Sequence, residues 1–98
     1  MAVFAIWESY FASDAAADGK RVTEAIWRDM PGFDGYLRHQ IVEDLDDPGH
    51  LFVISEWADR AAADQARDQY RDAEHARRAD ALVSQPRRRT LARRIREE

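Results

Sequence analysis

The chain has 98 residues, no cysteine and a net charge of −4. That length points to a single domain over residues 1–98, and the missing cysteine excludes disulfides, thiolate metal sites and thiol nucleophiles. Asparagine is also absent, and one lysine stands against fourteen arginines, a bias of the kind a GC-rich genome produces. The charge is uneven along the chain. Residues 1–58 carry 4 basic and 11 acidic side chains, a net of −7, whereas residues 59–98 carry 11 and 8, a net of +3. Such halves attract each other within one chain or between two copies.

Residues 2–11, AVFAIWESYF, are rich in aromatic and β-branched types. Phe4, Ile6 and Glu8 alternate with Val3, Ala5 and Trp7, so both faces of the predicted strand are largely apolar, the pattern of a strand covered on both sides. The segment is too short for a signal peptide or a membrane span and meets Glu8 at once, which makes a cytoplasmic protein the expectation. Ser13-Asp14 offers a cap or turn, and Val22, Ala25, Ile26 and Met30 then recur at helical spacing, predicting a helix over 15–30. Pro31-Gly32 stops it.

Residues 33–43 read as a second strand, with Tyr36, Arg38, Gln40 and Val42 on one face and Leu37, His39 and Ile41 on the other. Asp44 to His50 is rich in turn formers and reads as a loop, and 51–57, LFVISEW, is the return strand. Asp59 caps a helical stretch that runs to about Val83, with a break near 72–75. Arg60 with Asp64 and Glu74 with Arg78 stand at helical pairing distance. Its apolar face is Ala62, Ala66, Tyr70 and Ala73, too slight to stand far from a sheet. Pro86 ends the helix, and 87–96 alternates as a fourth strand with Leu91 and Ile95 on one side.

The order of elements is therefore β-α-β-β-α-β, an α+β, ferredoxin-like split βαβ plan: an antiparallel sheet with helices on one face. The two-sided apolar pattern of 2–7 and 51–57 leaves the second face in need of a cover, which a homodimer supplies. On Pro31-Gly32-Phe33 at the helix-to-strand junction, Asp47-Pro48 before the return strand and Glu56-Trp57 at its end, the chain resembles the antibiotic biosynthesis monooxygenase family of dimeric α+β barrels. The resemblance extends over nearly the whole chain. It implies oxidation of an aromatic or polyketide-like phenol or hydroquinone by oxygen, with no metal or flavin. It leaves two other readings open, a non-catalytic ligand-binding or accessory barrel and a haem-binding or haem-degrading relative. The haem-degrading branch uses an asparagine on the first strand, a tryptophan where Trp57 stands, and a histidine about ten residues later. This chain has no asparagine, and Ala66 and Arg67 occupy the histidine's region.

An oxygenase of that kind draws its electrons from the substrate, so it needs a base, a donor or cation for the substrate anion, and a dry aromatic pocket. His39 and His75 are the candidate bases, because histidine titrates near neutral pH and both lie on predicted elements. Their plainer readings are a satisfied structural histidine and a solvated helix face. His50 follows a turn and reads as a loop residue. Trp57 joins the catalytic set through the resemblance. Tyr36, Tyr70, Trp27 and Arg77 are the substrate-binding candidates; the plainer alternative is core packing for the aromatics and surface ion pairing for the arginine. The pocket is expected between sheet and helices, lined by some of Trp57, Tyr36, His39, Tyr70 and Trp27. The histidines lack metal-site spacing, no Gly-rich phosphate loop exists, and the acidic balance argues against nucleic acid despite the arginine-rich end. The expected ligand is thus a small aromatic molecule, with no metal, cofactor, nucleic acid or membrane.

Overall fold

The alternating N-terminal segment forms strand β1 (Val3–Tyr10), the middle of everything that follows. A computed structural model describes residues 1–98. After β1 a short turn, Ser13–Ala15, leads into helix α1 (Ala16–Asp29), whose end tightens into a 3₁₀ turn at Met30–Gly32. Strands β2 (Tyr36–Glu43) and β3 (His50–Trp57) form a hairpin. Helices α2 (Arg60–Tyr70) and α3 (Glu74–Leu82) follow, then strand β4 (Arg88–Ala92). The sheet order is β2-β3-β1-β4 with every pair antiparallel. This is the ferredoxin-like α+β arrangement expected from the sequence. No helix is long and apolar enough to cross a membrane.

Local chemistry explains most boundaries. Asp59 caps α2 by accepting from the Ala62 N–H at 2.8 Å. The helical stretch breaks between Tyr70 and Glu74, where the sequence predicts it. The Arg60–Asp64 pair forms at 3.8 Å, whereas Glu74 and Arg78 are not paired. Ser13-Asp14 makes a turn without a side-chain cap.

Strand alternation sends Val3, Ala5 and Trp7 of β1 and Val53 and Trp57 of β3 toward the helices. There they meet Val22, Ile26, Trp27 and Met30 from α1, and Ala63, Ala66, Tyr70, Ala76 and Ala79 from α2 and α3. Phe4, Ile6, Phe52 and Ile54 line the opposite face, with Val42 39% exposed beside them. No element of the chain covers that face.

Besides the fourth strand, which ends at Ala92 and leaves Ile95 outside it at 86% exposure, two assignments made from the sequence change. First, β2 begins at Tyr36, not at Phe33, and carries a bulge. Tyr36 pairs with Trp57 and Arg38 with Glu56, so Leu37 is the extra residue. The bulge turns Tyr36 onto the helix-facing side with His39 and Ile41, away from Arg38, Gln40 and Val42. It is set up by Gly35, at φ +84, whose missing Cβ leaves room for the Ala62 methyl. The Gly35 carbonyl also accepts from the Ala58 N–H at 2.7 Å, tying the start of β2 to the start of α2.

Second, His50 is not a loop residue. It opens β3 at 9% exposure, stacked on Tyr10 with ring centroids 4.1 Å apart and tilted against Phe52. Its Nδ1 lies 3.1 Å from Asp44 and its Nε2 3.1 Å from Glu8. Burial alone would lower its pKa, but the hydrogen bonds and charges of Asp44 and Glu8 outweigh that and raise it. Folding therefore favours the protonated ring. The stabilisation is complete below the ordinary histidine value of about 6.5 and disappears as pH rises through the raised folded value. The melting temperature should fall as pH rises above about 6.5, and His50→Gln should flatten that slope. Melting curves over a series of pH values, for both proteins, check it.

Candidate functional site

Trp57 ends β3 facing the helices and is 2% exposed. An indole N–H buried so deeply needs an acceptor. Ser55, two residues earlier on the same face, supplies it at 3.0 Å and donates its own hydroxyl to the Ala5 carbonyl at 2.7 Å. Indole, hydroxyl and neighbouring strand form one short chain of hydrogen bonds. Tyr36 packs edge-on against the same indole, with centroids 5.6 Å apart.

Between this wall and the helices lies a cavity of about 180 Å³. Its floor is Ala5, Trp7, Val53 and Trp57 from the sheet. Ile26, Trp27 and Met30 close one side, and Ala63, Ala66, Ala76 and Ala79 with Tyr70 close the other. The alanines leave the space open, because α2 and α3 offer methyls where bulkier residues would fill it. Tyr70 is held by a hydrogen bond from its hydroxyl to Asp29 at 2.7 Å. Burial first, then the bond and charge of Asp29, push its pKa far above the ordinary tyrosine value. The polar lining includes Arg67, Arg71, Asp80 and Arg87, which also reach solvent, so the cavity opens between the end of α2, α3 and the segment before β4.

Three of the aromatic residues expected in the pocket, Trp27, Trp57 and Tyr70, line this one cavity. The other expected site residues lie outside its lining. Tyr36 stands behind Trp57. His39 sits beyond Trp27, its ring 5.4 Å from the indole and its Nδ1 2.6 Å from the Tyr36 hydroxyl, over an open groove with Lys20 and Glu24. Burial lowers the His39 pKa. His75 and Arg77 are exposed on the outer side of α3. Helical spacing explains this last displacement: Ala76 and Ala79 turn inward, so the residues beside Ala76 turn out.

The sequence reading missed Arg67, Arg71 and Arg87. Arg67, in the last turn of α2, and Arg71, its C-cap, are four apart, one turn along the same side, which is the signal that would have paired them. Arg87 belongs to an arginine run whose members cannot be told apart without the sheet. In the fold its guanidinium lies 5.4 Å from the Trp7 ring centroid and binds Asp80 at 2.8 Å.

The sequence profile described as antibiotic biosynthesis monooxygenase matches residues 3–82. No protein of curated function matches the sequence. Among solved structures, a variant of SnoaB, a cofactor-independent oxygenase from Streptomyces nogalater, superposes with a TM-score of 0.85 at 20% identity, covering 98% of this chain and 95% of that one. A protein from Mycobacterium tuberculosis gives 0.79 at 21% identity over 99% and 98% of the two chains. One from Pseudomonas aeruginosa gives 0.78 at 21% identity over 97% and 95%. At these identities the superpositions establish a shared fold.

The Ser55 relay predicts a cost for its removal. Ser55→Ala strands the Trp57 N–H in an apolar core and should destabilise the fold by about 1–3 kcal/mol. Urea denaturation of the two proteins measures this directly.

Proposed function

The chain belongs to the antibiotic biosynthesis monooxygenase family, and from that membership we propose that its cavity binds an aromatic phenol or hydroquinone and lets oxygen oxidise it without metal or flavin. The observation that carries the reading is the aromatic-walled cavity itself. Trp27, Trp57 and Tyr70 bound a largely apolar space of ring size. For a phenol with a free para carbon the balance is simple. One oxygen atom of O₂ forms the new carbonyl; the other leaves as water with the ring and hydroxyl hydrogens. The substrate loses four electrons and O₂ gains four.

The substrate proton needs a route out. Tyr70 stands on the cavity wall and Asp29 on the protein surface, joined by a 2.7 Å hydrogen bond. Tyr70 takes the substrate proton at its oxygen as it passes its own to Asp29. Its raised pKa keeps it from ionising alone, so the two transfers are coupled. Trp57 and Trp27 orient the ring and keep the anion dry. In this scheme His39 and His75 take no direct part, because neither lines the cavity.

The lack of histidine in the lining also supports a second reading, a binding or accessory barrel that performs no oxidation. A haem-binding relative is less well supported, since a porphyrin is several times larger than a single ring. We also propose a cytoplasmic homodimer, with a second copy covering Phe4, Ile6, Phe52 and Ile54.

Oxygen-electrode measurements with added hydroquinones and phenols should show uptake that depends on the protein; a lack of uptake across such a panel supports the accessory reading. Tyr70→Phe should lower turnover roughly 10²-fold. The double variant His39→Ala/His75→Ala should stay within about a factor of three of the parent, the outcome expected of residues that exchange no proton with substrate. Light scattering at micromolar concentration should give twice the 11.3 kDa chain mass, and a stable monomer would dismiss the dimer.

A further inference from the structure

We propose that the preferred ligand of the cavity is a single-ring aromatic acid, held by its ring between Trp27 and Trp57 and by its carboxylate among Arg67, Arg71 and Arg87. This deepens the reading of the cavity as a phenol-binding site and rests on it.

Two independent observations support it. The first is size. A cavity of about 180 Å³ is little larger than an engineered cavity of about 150 Å³ that accepts benzene. One ring with small substituents fills it. A three-ring system does not fit without moving α2 and α3.

The second is charge at the mouth. Arg67 and Arg71 share one carboxylate, Asp68, at 3.0 and 2.9 Å. Arg87 has Asp80. Three guanidinium groups thus face two carboxylates. Just behind them Arg89 binds Asp64 at 2.9 Å and lies 5.8 Å from the Trp7 ring, while its Nε is buried with no acceptor. The side chain of Arg87 is 21% exposed, so water screens it less than an ordinary surface arginine, whereas Arg67 and Arg71, at 36% and 65%, stand at the rim. Positive charge is in surplus where the cavity meets solvent, with Arg67, Arg71 and Arg87 set against Asp68 and Asp80. A carboxylate on the ring offsets that surplus with planar, charge-assisted hydrogen bonds. A neutral ring binds the same walls without them.

Calorimetric titration with salicylate, its methyl ester and anthrone tests the assignment. Salicylate should bind at least about tenfold tighter than the ester, with a preference that shrinks as salt is raised and is largely lost in Arg71→Gln/Arg87→Gln. Anthrone should bind more weakly than salicylate. Ala66→Leu, which fills the cavity and spares the arginines, should abolish binding of both one-ring compounds. Equal affinity for acid and ester, or tighter binding of anthrone than of salicylate, overturns the proposal. Oxygen uptake with 2,5-dihydroxybenzoate separates the two levels. Arginine-dependent binding without oxygen uptake leaves the ligand class standing and removes the oxygenase reading. Oxidation of anthrone with no preference for the acid does the reverse.

Discussion

Trp57 can sit at the centre of this small domain because Ser55 satisfies its indole N–H. A tryptophan at 2% exposure with an unpaired donor would be a liability larger than most single contacts could offset. Ser55, itself at 0% exposure, turns that liability into a tie between β3 and β1 by donating its hydroxyl to the Ala5 carbonyl. With the indole fixed, Tyr36 has a flat edge to pack on, Trp27 and Tyr70 have an opposing wall, and the space between them has a defined shape. The cavity depends on a rigid tryptophan more than on any side chain that touches solvent.

The second constraint is the junction at Gly35. A residue with a side chain there would strike Ala62, and its backbone would resist the left-handed turn. That turn lets the β2 bulge form, and the bulge decides which face Tyr36 occupies. The same position anchors α2 through the Ala58 N–H. The start of one strand and the start of the helix over the cavity are therefore set together, which keeps the Tyr36–Trp57 contact and the alanine face of α2 in fixed relation.

Much of the architecture was legible because its signals are local. The Pro31-Gly32 stop, the Asp59 cap, the break after Tyr70 and the alternation of β1 and β3 each follow from residues next to one another in sequence. The reading failed where the deciding partner is distant. Strict alternation puts Tyr36 with Arg38, and only pairing with Trp57 and Glu56 reveals the extra residue. His50 looks like the end of a turn until Glu8, forty-two positions away, closes on its ring. The site divides in the same way. Aromatic residues were found by type, since a surplus of rings has to go somewhere apolar. The mouth arginines were not, because fourteen arginines in one chain carry no individual signal until the end of α2 and the segment before β4 bring a few together. The opposite charges of the two halves were a weaker guide. Most ion pairs form within a half, and Arg94 with Glu56 is the pair that joins them.

Four alanines, Ala63, Ala66, Ala76 and Ala79, line the helix side of the cavity. Every alanine codon becomes a valine codon by a single cytosine-to-thymine change at its second base. Each of the four is thus one common mutation from a smaller chamber, and the reversal is equally short. The volume of the chamber is thus set on the helix side, by side chains separate from the tryptophan wall, the Ser55 relay and the strand register.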